Sequence, residues 1–147
     1  MLKMIHRTLN STAAAAGILL LLSACAFGQA VENSSRSTIG YIHPNGTVEN
    51  SSRSTIGYFR DNGAVENSSR STIGYIRENG TVENASRTTI GYITSSGAVE
   101  SSSRSTIGYV TSSGAVEDSS QRTIGYAKGI KREWAAAFFF FFFTPEK

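Results

Sequence analysis

The chain has 147 residues and a formal charge of +3, with one cysteine, two histidines and one tryptophan. One cysteine cannot pair within the chain, so a disulfide scaffold is excluded, and so few His and Cys leave almost nothing to hold a metal. The length allows one modest domain, and the positive charge raises nucleic acid as a partner, which the placement of charge must decide.

Residues 1–28 read as an export signal. Lys3, His6 and Arg7 make a basic start, and Ala13 to Leu22 an apolar core too short for a permanent membrane anchor. All six leucines of the chain lie before residue 23. Two processing sites compete. Leu22-Ser23-Ala24-Cys25 resembles a bacterial lipobox, which would make Cys25 a lipid attachment site; Ala26-Phe27-Gly28 fits ordinary cleavage before Gln29. Without the signal the charge is nearly balanced. Residues 31–126 hold 8 arginines against 9 acids, and only the tail from 127 to 147 is basic. A near-neutral array offers no phosphate-binding stripe, so nucleic acid is set aside.

Residues 29–127 are one motif in six copies. Val-Glu begins at 31, 48, 65, 82, 99 and 116, and Thr-Ile-Gly-Tyr at 38, 55, 72, 89, 106 and 123. Both series step by 17 residues, and five Gly-ended turns close at 46, 63, 80, 97 and 114. Self-similarity at a fixed short period marks a repeat architecture. Ser-Thr-Ile-Gly-Tyr-Ile is β-branched and aromatic, and predicts a strand of about 17–20 Å. The Gly-ended turn supplies positive φ. Thr/Ala-Val-Glu is the return strand, and Asn-Ser-Ser-Arg leads to the next hairpin. Strict alternation puts Ile39 and Tyr41 on one face and Gly40 and Ile42 on the other. A glycine at the centre of every main strand predicts close approach of backbone or an aromatic ring, for which a tyrosine of a neighbouring repeat is one source.

One 17-residue hairpin buries too little to stand alone, so the copies must stack. The expected fold is all-β: a closed ring of five short hairpins, with Val31-Glu32 pairing with Thr123-Ile124-Gly125-Tyr126. The alternative is an open, self-assembling β-solenoid or fibre-forming surface protein, whose edges are poorly protected.

The tail, residues 128–147, carries ten unbroken apolar residues from Trp134 to Phe143. As a helix it reaches about 15 Å, half a bilayer. A segment apolar on all sides should be buried on all sides. Docking in or across the ring as a plug is the expectation, with membrane-surface contact through Trp134–Phe143 or partner binding as alternatives.

The repeat VENSSRSTIGYI with its Gly-ended turn, together with the phenylalanine-rich end, resembles the five-fold β-flower proteins, small exported proteins of Gram-negative bacteria. The resemblance covers roughly residues 30–143 and implies a ring of five β-hairpin petals. It brings no activity, substrate or catalytic residue. The sixth copy departs from the pattern, with Gln121-Arg122 in place of Arg-Ser.

No catalytic, metal or cofactor site is expected. His43 is the sole histidine after the signal and reads as a solvated turn residue. Glu32, Glu49, Glu66, Glu83, Glu100 and Glu117 sit in equivalent environments, which argues against the division of labour that paired catalytic carboxylates need. Candidate ligand-binding residues are Tyr41, Tyr58, Tyr75, Tyr92 and Tyr109, with Arg36, Arg53, Arg70, Arg87 and Arg104. Tyrosine would stack on a sugar and arginine hydrogen-bond it. Repetition alone imposes such rows, and this favours register-holding ion pairs worth under about 1 kcal/mol each where exposed. Asn33, Asn50, Asn67 and Asn84 begin Asn-x-Ser sequons and read as turn residues beside a bacterial-type signal. The reading is a non-enzymatic, exported, monomeric binding or structural module of the periplasm or cell envelope, with a glycan or envelope component as its partner.

Overall fold

The structure, a computed structural model, describes residues 27–144. The signal and Cys25 lie outside the described residues. Twelve short strands follow one another: β1 (Gln29–Asn33), β2 (Thr38–Ile42), β3 (Thr47–Asn50), β4 (Thr55–Phe59), β5 (Ala64–Asn67), β6 (Thr72–Ile76), β7 (Thr81–Asn84), β8 (Thr89–Ile93), β9 (Ala98–Ser101), β10 (Thr106–Val110), β11 (Ala115–Asp118) and β12 (Thr123–Tyr126). The chain ends in a short helix, α1 (Arg132–Ala137), that runs on as a π-helical turn over Phe138–Phe142.

Every strand pairs antiparallel with its sequence neighbour, and β1 pairs with β12, so the sheet closes into a barrel with no free edge. The open solenoid does not describe this chain. Five continuous hairpins use the Gly-ended turns, and β12 with β1 supplies a further pair across the seam, giving twelve strands in all. The seam is the shortest ladder: Glu32 opposes Tyr126 and Asn33 opposes Gly125, whereas β2 and β3 pair at three positions.

Both kinds of turn are built locally. In the Gly-ended turn at His43–Gly46, Gly46 donates to the His43 carbonyl at 2.9 Å, and Gly46 takes φ +86°. At the opposite end of the barrel, Asn33 Oδ1 accepts from the Ser35 and Ser37 amides at 2.9 and 3.0 Å. Asn50, Asn67 and Asn84 do the same in their turns, the Asx pattern expected of that residue. The chain then reverses through Arg36, Arg53, Arg70, Arg87, Arg104 or Gln121, all at φ between +62° and +67°. A side chain in that region costs roughly 1–2 kcal/mol of local strain. Something that the arginine does must offset it.

The strands alternate as expected, with one repeated exception. Val31, Val48, Val65, Val82, Val99 and Val116 are fully buried and oppose the strand glycines, so both line the lumen. Tyr41 pairs with Glu49 on the outer face. Between β1 and β2 the register shifts, so that Val31 opposes Gly40 but Glu32 opposes Thr38. Ile39 is the extra residue of a β-bulge, and the shift recurs in each repeat. The bulge overrides simple alternation: Ile39 and its five equivalents pack against the core instead of joining Tyr41 outside.

The tail fills the lumen. Ala135, Ala136 and Ala137 have no exposed surface, and Phe138 and Phe139 almost none. Six phenylalanines meet six strand glycines one for one, in ring order: Phe138 at Gly40, Phe139 at Gly125, Phe140 at Gly108, Phe141 at Gly91, Phe142 at Gly74 and Phe143 at Gly57. The aromatic group over each glycine is therefore the tail's phenylalanine. A neighbouring repeat's tyrosine cannot reach it, because the tyrosines point outward. At Gly91 a Cβ would lie 2.5 Å from the Phe141 ring and 2.5 Å from the Glu100 carbonyl oxygen, so only glycine leaves room for the ring. Consecutive residues address consecutive repeats, roughly 60° apart if six units share a turn, whereas an α-helix steps roughly 100° per residue. The wider i→i+5 winding of the π-turn reduces that mismatch.

Equilibrium denaturation checks this packing. Phe138→Ala should cost about 3–5 kcal/mol, as buried phenylalanine truncations do. Gly91→Ala should cost about 1–3 kcal/mol or more through overpacking. A Gly91→Ala protein as stable as the parent would rule out ring-to-glycine contact.

Candidate functional site

With the lumen filled, the outer face and the two barrel ends carry the chemistry. On the outer face each tyrosine lies between a small residue on one neighbouring strand and a glutamate on the other; Tyr58, for example, opposes Thr47 and Glu66. The positive-φ arginine then swings back over the ring of the preceding tyrosine. Arg53 lies 3.4 Å from the Tyr41 centroid, Arg104 3.4 Å from Tyr92, Arg70 4.7 Å from Tyr58 and Arg87 5.0 Å from Tyr75. Cation–π contacts of this kind contribute about 0.5–1 kcal/mol at exposed sites, enough to offset part of the backbone strain.

The structure brings the candidate residues together in register, with two departures. Arg36 stacks at 3.5 Å on Tyr126, which the candidate set omitted, because ring closure makes β12 the neighbour of β1. Tyr109 has Gln121 where the others have arginine, and among the described residues no cation lies over its ring. Arg122, the displaced arginine, pairs with Asp118 at 2.9 Å instead.

The spread of stacking distances has a cause. Where the residue starting the Gly-ended turn is arginine, it takes the glutamate: Arg60 reaches Glu66 at 2.6 Å and Arg77 reaches Glu83 at 2.5 Å. Each also lies over the same tyrosine, Arg60 at 4.6 Å from Tyr58 and Arg77 at 4.7 Å from Tyr75. Arg70 and Arg87 are then left farther out on the ring. Where that position is threonine or histidine, the turn arginine reaches the carboxylate itself, as Arg104 does with Glu100 at 3.2 Å and Arg53 with Glu49 at 3.6 Å. At Glu49, Glu66 and Glu83 one carboxylate is thus contested by two basic side chains.

His43 departs from the solvated reading. Its Nε2 lies 3.1 Å from Glu49 Oε2, and its side chain is 18 % exposed. His43, Arg60 and Arg77 each stand six residues before a glutamate, across the hairpin. That offset was the signal in the sequence that would have found them. The arrangement presents a belt of aromatic rings, guanidinium groups and carboxylates on short strands of a closed barrel. Among the described residues, no group of three or more His, Cys, Asp or Glu is placed to hold a metal ion.

A protein family described as 5-fold beta-flower protein matches residues 28–143. Neither a curated protein nor a solved structure matches the chain.

The belt predicts an acid-dependent loss of stability. The hydrogen bond from Arg60 holds the Glu66 carboxyl below its usual 4.5, and that from Arg77 does the same for Glu83. Amide donation from Arg122 lowers Asp118 from 3.8. A lowered folded pKa stabilises the fold above the unfolded value, and that contribution disappears as pH falls through the folded value. The melting temperature should therefore hold between pH 7 and 5 and fall below about pH 4. The Arg60→Met/Arg77→Met double variant should show a shallower fall in the same thermal scans.

Proposed function

The chain belongs to the 5-fold beta-flower protein family, and on that premise we propose that it is a non-enzymatic, exported binding module of the bacterial periplasm or cell envelope. The five continuous hairpins are its petals, and the β12–β1 pair is the seam that completes the flower. One observation carries the reading. The lumen is taken by the chain's own tail, so what remains to meet a ligand is the outer belt of tyrosines under arginines. Aromatic faces flanked by hydrogen-bonding charges are the pattern that recognises sugars and other polar ligands.

The tail's burial favours the plug over membrane contact through Trp134–Phe143. No helix among the described residues is long and apolar enough to cross a membrane. The strands have four or five residues, about half the 9–11 that a bilayer-crossing barrel uses. Any membrane attachment would then come through a lipid on Cys25.

Two measurements test this. An array of glycans and envelope fragments should give selective signals that fall when all six belt tyrosines, Tyr41, Tyr58, Tyr75, Tyr92, Tyr109 and Tyr126, are changed together to serine. A flat response would leave a structural role alone. Separately, growth with a fatty-acid analogue should label the wild-type protein and leave Cys25→Ser unlabelled if Cys25 is the anchor. Absence of label from both would assign cleavage before Gln29.

A further inference from the structure

The outer belt is not uniform, and the exception sits at the seam. β12 and β1 share only two paired positions; the third pair of a continuous hairpin, Ile42 with Val48 in the first, has no counterpart between Ala127 and Val31. In the continuous hairpins a Gly-ended turn carries the chain straight into the return strand. At the seam, Ala127 leads instead into a turn at Gly129, φ +76°, from which the tail enters the barrel. At the seam β1 takes the returning strand's place beside β12, with no turn joining the two. A groove of about 740 Å³ lies there, with Tyr126, Glu32, Arg36 and Lys128 among its walls and the Ser112–Ser113 turn along one edge.

The charges in this groove differ from those of the other units. Lys128 holds the place occupied by His43, Arg60 and Arg77, each of which faces its own glutamate. Lys128 is exposed, and among the described residues it makes no ion pair. Glu32 is held instead by Arg36 at 3.5 Å, and Arg36 also covers Tyr126. The groove thus combines a stacking surface, a carboxylate already neutralised by one arginine, and a second cation that makes no ion pair among the described residues. The small neighbours Ala30 and Ala115 leave the ring edge accessible.

We propose that the seam groove is the principal ligand site and that it takes an acidic saccharide. A sugar ring would lie along Tyr126 and Arg36, its carboxylate or other anionic group on the Lys128 ammonium, and its hydroxyls against Glu32 and the Ser112 and Ser113 side chains. The inference rests on the belt's being a sugar-binding surface, and it adds both the place and the charge of the ligand. An unpaired ammonium selects for an anion, and the other units, with that position neutral or already engaged, lack it.

The test is a titration of ring-labelled tyrosine protein with tetragalacturonate, with maltotetraose as the neutral control, followed by nuclear magnetic resonance. Tetragalacturonate should shift the Tyr126 signals and leave Tyr41, Tyr58, Tyr75 and Tyr92 in place, and maltotetraose should bind far less. Lys128→Gln, at an exposed position outside the barrel's packing, should weaken binding about tenfold, the loss of one charge-assisted contact. Equal shifts at all tyrosines, or an affinity untouched by Lys128→Gln, would overturn the seam site while leaving the belt as a binding surface. Shifts with maltotetraose alone would overturn its acidic selectivity. No shift with either sugar would overturn the seam site, whereas the broader belt reading falls only if the glycan array is also silent.

Discussion

Everything in this molecule depends on the tip of a phenylalanine ring occupying the place where a strand residue's Cβ would be. The ring tip takes that place at Gly57, Gly74, Gly91, Gly108 and Gly125, and packs beside it at Gly40, where Phe138 lies 3.3 Å from the Cβ position. Glycine in a strand is usually a weakness, having no side chain to pack and more backbone freedom to lose. Here the missing side chain is supplied by the tail. That exchange lets a barrel of very short strands have a solid interior. It also explains why a run of six phenylalanines, an aggregation hazard if exposed, is safe in the finished fold.

The filled lumen sets the chemistry of the outside. Because the valines and glycines claim the inner face, tyrosine and glutamate must share the outer one. The arginine of each Asn-Ser-Ser-Arg turn is held at positive φ, a conformation that favours glycine. It is positioned to cover a tyrosine and reach toward a carboxylate in exchange. The belt is therefore partly structural, tying each turn to the strands beside it. The proposed recognition belongs where this mutual satisfaction fails. Two places stand out: Tyr109, whose unit has Gln121 at the turn position, and the seam, where Lys128 makes no ion pair among the described residues.

Much of this was legible in the sequence. The 17-residue step fixed the strands and turns, and the split Val31 and Thr123 segments implied closure. Arg/Tyr/Glu rows followed from the period. What stayed hidden depended on contacts between distant parts of the chain. The glycines announced a close approach, but their partners lie 14 to 98 residues away in sequence, beyond any local pattern. The bulge at Ile39 changes which face a residue occupies, and alternation alone cannot show it. Arg36 over Tyr126 appears only once the ends meet. His43 looked solitary because its partner, Glu49, sits across a hairpin; the equivalent Arg60–Glu66 and Arg77–Glu83 offsets were the available clue.

The most direct test of the account is a nuclear Overhauser map between phenylalanine ring protons and glycine Hα protons, on protein labelled selectively at those two residue types. The account predicts six separate ring-to-glycine contacts in a fixed descending order around the barrel, from Phe143 at Gly57 through Phe139 at Gly125, closing with Phe138 at Gly40. Averaged phenylalanine signals with no glycine contacts would contradict it, since the tail would then lie outside the barrel.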